Sequence, residues 1–340
     1  MMLRLGLLLL TALPLAGCYV LQAAGGQLRL NASRVPVTTL LQAPSTTPEL
    51  RQRLAGAARM RDYASRELAL PDNRSYRAYA ELGRPYVVWT VYAAPEFSVE
   101  PRTWCFPIAG CVAYRGYFDE VHAQAFARRL RARGDDVDVQ GVVAYSTLGH
   151  FADPLLSSML RWGDDEVAAL MFHELAHQQV YAVGDTAFNE AFASLVEEEG
   201  LRRWLVHEGR PEALAAHDRR LRETHEFAAL LADSRARLRA LYSQPLAPAA
   251  RRAAKAAEFD RLRAAYSAAH PGGGSYDWLL RAPLNNAVLL EVATYSDCVP
   301  ALARALARVA GDLPRFYADM AAFAAGRPEQ RKALCEAAAP

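Results

Sequence analysis

Residues 164–200 read DDEVAALMFHELAHQQVYAVGDTAFNEAFASLVEEEG. Apolar residues recur at helical spacing in the first half, and Asp164 or Asp165 is placed to cap a helix there. Gly184 can end that helix, and Asp185 can cap a second one. The stretch therefore predicts two helices joined by a short turn, the second folding back against the first.

The first of these helices carries two histidines four residues apart, His173 and His177. Both imidazoles project from one face about one turn apart, a spacing that suits two ligands of one zinc ion. Glu174 lies beside such an ion, where it can take a proton from metal-bound water. The second helix can supply Glu190 as a third ligand. Two histidines and one carboxylate leave a coordination position open, which is typical of catalytic zinc sites, so we predict one Zn²⁺ per chain.

The second helix offers two further polar residues near Glu190. Glu197 lies two turns along the same face and could accept a hydrogen bond from a ligand histidine, and Asn189 is grouped with it as a supporting residue. Two alternatives stay open. Glu197 could itself be the third ligand, with Glu190 structural. The histidines could also be ordinary hydrogen-bonded residues on an amphipathic helix.

The remainder of the chain predicts an α+β fold that is predominantly α-helical. Strands are expected only before residue 146: at 86–92, on either side of the cysteine loop with the second of these two at 112–118, and at 137–145. Residues 48–340 are expected to form one domain, with a sheet-containing part to about 150 and a helical part over 151–340. Helices are expected at 48–70, 74–82, 120–133, 164–183, 185–207, 211–241, 249–269, 284–294 and 300–325.

The N-terminus has the pattern of an export signal. Residues 1–17 contain one early cation and an apolar run that is too short to span a bilayer. The run ends at Leu-Ala-Gly-Cys18, which resembles a bacterial lipobox and implies cleavage before Cys18 and lipidation of its thiol. Residues 18–47 would then be a tether and N-terminal segment, anchored in the cell envelope. Tyr19 after the cysteine favours the outer membrane, facing the periplasm. An ordinary cleaved signal is the alternative.

Four cysteines are left when Cys18 is set aside. An even number in an oxidising compartment suggests disulfides. Cys105 and Cys111 flank a turn-like insert and could close a small hairpin. Cys298 and Cys335 could tie down the C-terminal tail, or they could be buried free thiols.

Composition excludes several classes of function. The chain has 340 residues, 39 Lys+Arg against 37 Asp+Glu, and a net charge of +2. A nucleic-acid-binding protein would carry a basic face or domain, and no glycine-rich phosphate loop is present, so we expect neither nucleic acid nor nucleotide as a partner. At 52% hydrophobic and 22% charged residues, the chain is globular in composition.

The motif resembles that of the gluzincin aminopeptidases of the aminopeptidase N type, in which HELAHQ is followed by a helix bearing NEGFA and the third ligand. This likeness covers about residues 164–200, and the segment between His177 and Glu190 is shorter than is usual there. The whole chain is similar to bacterial lipoproteins described as predicted zinc aminopeptidases, through its lipobox, YRGYF, AYSTLG with DPLL, and LNNA. The resemblance implies His173, His177 and Glu190 as ligands, Glu174 as the catalytic carboxylate, and a peptide substrate. It also implies a small sheet packed on a zincin-like helical half, with the HExxH helix in the cleft.

An upstream segment is expected to lie along the substrate. In the aminopeptidase N type, a strand before the zinc helix carries a glutamate for the substrate ammonium, but the corresponding 141–149 has no acid. Its backbone could still pair with an extended peptide, with substrate contacts expected at Tyr145, Ser146, Thr147 and Gly149. Possible replacements for the missing ammonium anchor are Glu166, Asp153 and Glu291.

Hydrolysis also needs a donor for the oxyanion of the tetrahedral intermediate. Tyr295 is our candidate, with Tyr266 and Tyr276 as competitors. Asn285 and Asn286 could line the cleft or cap a helix after Pro283. The motif thus predicts a zinc peptide hydrolase, and the family resemblance implies that it is an aminopeptidase. The alternatives are a zinc endopeptidase and an envelope lipoprotein that binds zinc without catalysis.

Overall fold

The computed structural model describes residues 19, 21–106, 110–144, 146–290 and 298–336. Cys18, Tyr145, Glu291 and Tyr295 lie outside these ranges. Helices α1–α6 span 21–32, Val37–Gln42, Pro48–Arg66, Glu120–Arg131, Asp164–Gln179 and Thr186–His207. Helices α7–α13 span Pro211–Tyr242, Pro248–Ala269, Asp277–Arg281, 286–290, Val299–Arg308, Leu313–Ala324 and Pro328–Glu336.

The strands form three small sheets. The first has the order β1-β2-β8, with Val35–Pro36, Ala78–Ala80 and Leu155–Leu156. The second has the order β6-β3-β7 and is antiparallel throughout, with Tyr114–Tyr117, Val88–Pro95 and Asp135–Val142. The third is the β4–β5 hairpin, formed by Trp104–Phe106 and Gly110–Val112. The prediction of a predominantly helical α+β fold is confirmed.

Strand β3 is buried along nearly its whole length because both of its faces are covered. On one face Trp89 and Val91 pack with Phe126 and Leu130 of α4. On the other, Val88 belongs to the main hydrophobic core. The second sheet is therefore held between α4 and the helical body of the molecule.

Helices α5 and α6 pass through the middle of the main core. Nearly every residue of α5 from Val167 to His177 is buried, as expected for a helix surrounded by others. Phe172 of α5 and Phe192 of α6 are fully buried, and Phe192 stacks on Phe316 of α12 at 5.7 Å between ring centroids. Helices α7 and α8 pack on each other through a separate cluster that includes Phe227 and Leu262. The predicted pair of helices is thus the centre of the fold.

Two disulfides are formed within the described part of the chain. Cys105–Cys111 closes the β4–β5 hairpin, as predicted. Cys298–Cys335 joins the start of α11 to α13, so the free-thiol alternative for these two cysteines is wrong. No helix among the described residues is long and apolar enough to cross a membrane.

The predicted helix at 74–82 is wrong. Residues 78–80 form β2 between β1 and β8, and Tyr76 just before it has a φ of 63°, which a helix does not allow. The preceding loop is held by the fully buried Arg61, whose guanidinium donates to the carbonyls of Ser75 (2.8 Å) and Pro71 (2.7 Å). Strand β8 also lies beyond residue 146, where no strand was expected. These pairings are tertiary contacts that override local propensity.

Several helix boundaries also differ from the predictions; α3, for example, ends at Arg66 rather than at residue 70. Gly163, not Asp164 or Asp165, is the N-cap of α5. Helix α5 ends at Gln179, before Gly184, which lies in the turn with a φ of 79°. The single helix expected at 300–325 is two helices, because Gly311 has a φ of 79° and the Asp312 side chain caps α12.

Candidate metal centre

Helix α5 places His173 and His177 side by side in the core. Their ring centroids are 4.9 Å apart with the planes nearly perpendicular, and both residues are less than a tenth exposed. The i,i+4 spacing brings the two Nε2 atoms to the same face of the helix. The predicted pair of imidazoles is therefore formed.

Helix α6 brings Glu190 to both histidines. One carboxylate oxygen, Oε2, lies 3.4 Å from Nε2 of His173 and 3.4 Å from Nε2 of His177. Glu190 is itself 7% exposed. Within the described ranges, these three side chains form a group whose ligand atoms all lie within 4.8 Å of one another. The structure thus joins three residues that are up to seventeen positions apart in the sequence.

The turn between α5 and α6 is fixed by Asn189, the residue before Glu190. Its side chain accepts a hydrogen bond from the N–H of Ala182 (2.7 Å) and donates one to the carbonyl of Ala182 (2.8 Å). Asp185 caps α6, as predicted, by accepting from the N–H of Phe188 at 3.2 Å. Because Asn189 is 1% exposed, these bonds are shielded from water. Asn189 therefore sets the register that directs Glu190 at the histidines.

Glu197 holds the far side of His173. Its Oε2 lies 2.9 Å from Nδ1, while Glu190 is at Nε2. A ligand histidine commonly donates its second N–H to a carboxylate in this way, which fixes its tautomer and orientation. This is the supporting position predicted for Glu197. As a third ligand, Glu197 would have to reach the Nε2 side of the ring.

The three donors fit a small divalent cation. His173 meets a carboxylate at each ring nitrogen, which requires either a doubly protonated ring or a cation in place of the proton at Nε2. Two ligands of a tetrahedral zinc ion at ordinary bond lengths are about 3.4 Å apart. The two Nε2–Oε2 separations equal that value. The buried group could therefore hold a metal ion through two imidazoles and one carboxylate.

The electrostatics of the group favour a positive charge at its centre. Burial alone would raise the pKa of Glu190, but His177 and His173 outweigh it and lower the pKa to about 2. Burial would likewise lower the pKa of His173, yet hydrogen bonds with Glu190 and Glu197 hold it well above its usual value. Burial raises the pKa of Glu174 to about 7, despite the opposing effect of both histidines. Glu190 is thus a carboxylate whose negative charge is stabilised by the two histidines, and burial gives Glu174 a pKa at which a carboxyl can exchange a proton near neutral pH.

The expected substrate segment is attached to the metal helix through Asp153. Its carboxylate accepts from the N–H (3.1 Å) and the hydroxyl (2.7 Å) of Thr147, and from Nε2 of Gln178 (3.1 Å). Asp153 is 3% exposed. It is therefore engaged in positioning the 146–149 loop, which leaves it unsuited to anchor a substrate ammonium. The loop itself carries Ser146, whose hydroxyl accepts from the N–H of Leu148, and Gly149, which lies against the side chain of Gln178.

Other expected site residues have structural roles elsewhere. Tyr266 and Tyr276 pack with Phe227 in the α7–α8 cluster. Asn285 caps the helix at 286–290 by accepting from the N–H of Ala287 at 2.9 Å. Asn286 is buried and accepts a hydrogen bond from the hydroxyl of Tyr242. Glu166 is exposed in the first turn of α5, at the opposite end of that helix from His177.

Two tyrosines near the group were missed by the sequence analysis, Tyr114 and Tyr181. Burial and then the charge of Glu190 raise the pKa of both, so both hydroxyls stay protonated and can donate. Tyr114 follows the β4–β5 hairpin, which lies on the α5–α6 turn so closely that a Cβ at Gly110 would be 2.7 Å from the backbone nitrogen of Gly184. The sequence signal for Tyr114 was its place in the YRGYF stretch, and the signal for Tyr181 was its position four residues after His177.

Fold and site together define the class: a predominantly helical α+β protein with a buried His-His-Glu group that could hold a metal ion. The chain belongs to the family described as "Putative aminopeptidase", whose model matches residues 18–335. Membership of a peptidase family implies a peptide substrate. Neither the curated proteins nor the solved structures yield a match to the chain.

Proposed function

We propose that this protein is a zinc-dependent aminopeptidase of the gluzincin type. The observation that carries the proposal is the convergence of His173, His177 and Glu190 on one point, with the buried Glu174 beside them, in a chain of an aminopeptidase family. The presence of Glu174 argues against a protein that merely stores zinc, because binding the ion does not require that carboxylate.

A zinc ion held by these residues would polarise the scissile carbonyl and lower the pKa of water. Glu174 would take a proton from the attacking water while the oxygen of that water bonds to the carbonyl carbon. It would then give that proton to the leaving nitrogen as the C–N bond breaks. The products are a carboxylic acid and an amine. Glu197 would hold His173 in orientation throughout, through the hydrogen bond at Nδ1.

Cleavage at the N-terminus is tested by a peptide mixture in which each peptide has a free or an acetylated N-terminus. We expect products, read by mass spectrometry, only from the free peptides, because an aminopeptidase must bind the substrate ammonium. Cutting of the acetylated peptides would instead identify an endopeptidase. An endopeptidase is the second candidate function. It is favoured because Asp153, one of the three acids considered as the anchor for the substrate ammonium, already binds Thr147 and Gln178.

The same proposal places the enzyme in the bacterial cell envelope, lipid-anchored at Cys18 and facing the periplasm from the outer membrane. The lipobox supports it, and so do the two disulfides, which persist in oxidising compartments. Separation of membrane and soluble fractions from cells that produce Cys18→Ser tests this location: protein that stays in the membrane fraction would contradict it.

A further inference from the structure

A cavity of about 590 Å³ opens between two loops on the side of the α5 C-terminus. One wall comprises residues 73–75 with Arg77 and Ala78, and the other comprises residues 149–152. Arg34 and Pro36 complete the lining. Three of the lining residues are arginines, a fourth is His150, and none is acidic. The cavity is therefore basic.

Two of the three arginines are not neutralised by ion pairs. Arg34 donates to main-chain carbonyls, those of Ala152 and Asn31, and carbonyls do not cancel its charge. Arg74 is exposed and makes no ion pair with the described part of the chain. Arg77, in contrast, is paired with Asp62 and Asp72 at 3.0 Å each. Asp153, buried below the 147–152 loop, offsets part of the charge of Arg34. These three aspartates offset the charges of Arg77 and Arg34, which leaves Arg74 as the lining cation that no carboxylate of the described residues pairs with.

The cavity wall is bonded directly to the metal helix. Asn73 donates from Nδ2 to Oε1 of Gln178 at 2.8 Å, and Gln178 donates from Nε2 to the hydroxyl of Ser75 at 3.3 Å. Gln178 is the residue after His177, and it lies one turn beyond Glu174 on the same helix. The cavity wall therefore contacts α5 through the side chain of Gln178, one turn beyond Glu174.

We propose that this cavity binds a carboxylate group of the peptide substrate, so that the enzyme favours short peptides whose negative charge reaches the cavity from the site at Glu174. The inference rests on the proposed function. Guanidinium groups bind carboxylates through paired, charge-assisted hydrogen bonds, which neutral groups cannot replace. The carboxylate is either the C-terminus of a short peptide or an acidic side chain.

The test uses three matched short peptides: one with a C-terminal carboxylate, one with a C-terminal amide, and one amide with an internal glutamate. We measure kcat/KM for the wild type, Arg74→Gln and Arg219→Gln, an exposed arginine that does not line the cavity. We expect the wild type to prefer a carboxylate peptide by about tenfold, the effect of one charge-assisted hydrogen bond. Arg74→Gln should reduce that preference severalfold and Arg219→Gln should keep it. Whichever carboxylate peptide is preferred identifies the source of the charge.

Equal preference in the wild type and Arg74→Gln would overturn the inference while hydrolysis itself upheld the proposed function. Equilibrium binding of the same peptides to Glu174→Gln gives a readout without turnover. If no peptide is hydrolysed but the carboxylate peptides bind more tightly in an Arg74-dependent way, the cavity is upheld and the peptidase function fails. If neither preference depends on Arg74, the inference is wrong.

Discussion

Glu174→Gln is expected to lower kcat by about a thousandfold and to leave the metal content unchanged. The amide has the same shape but cannot accept a proton from water, and general-base catalysis contributes about 10²–10⁴-fold in enzymes. Glu174 follows His173 in the chain, but the contacts that join His173 and His177 to Glu190 do not involve its side chain, so the substitution leaves the three ligands in place. Steady-state hydrolysis of a peptide, together with metal analysis of the same sample, checks both parts.

The matched control for this variant is Glu212→Gln, an exposed glutamate in the first turn of α7. This substitution removes the same charge from a site outside the core. The variant should therefore hydrolyse the peptide at the wild-type rate. Wild-type turnover in Glu174→Gln would exclude Glu174 as the general base.

Glu190→Ala is expected to reduce the affinity for zinc by more than about a hundredfold. The variant removes one of three ligands, whereas loss of a supporting residue around a zinc site costs about 10–100-fold. Glu197→Ala is the direct comparison, because Glu197 touches only the Nδ1 side of His173, and its loss should fall within that smaller range. Competition against a chelator of known affinity measures both variants.

A reversed order, with Glu197→Ala losing zinc and Glu190→Ala retaining it, would make Glu197 the third ligand. Because Glu190 is buried in the core, Glu190→Gln serves as a second variant that keeps the side-chain volume. Thermal melting in the presence of chelator shows whether a variant is folded, so loss of metal and loss of fold are told apart.

The metal group was accessible from the sequence because it depends on two local rules. Helical spacing places His173 and His177 on one face, and a capped second helix after a short turn returns Glu190 to that face. Asp185 does cap that helix, and Asn189 secures the turn through Ala182. Prediction and structure therefore agree on the histidine spacing and on the cap of α6, whereas the same kind of local rule misplaced both ends of α5.

The features that the sequence did not reveal depend on contacts between distant segments. Residues 78–80 were expected to lie within a helix but pair with β1 and β8, so that prediction is wrong. Asp153 links Thr147 to Gln178 only because distant segments of the chain meet there. The same is true of Arg34 and Arg74, which line one cavity. The residue pattern within any one of these segments does not predict its contacts with the others.

The most direct test of the account is a zinc titration of the metal-free protein with peptide hydrolysis as the readout. We expect no hydrolysis before zinc is added, a linear rise with each addition, and a plateau at one zinc per chain. Hydrolysis at full rate in the absence of metal would contradict the account, and so would stoichiometric zinc binding without any hydrolysis.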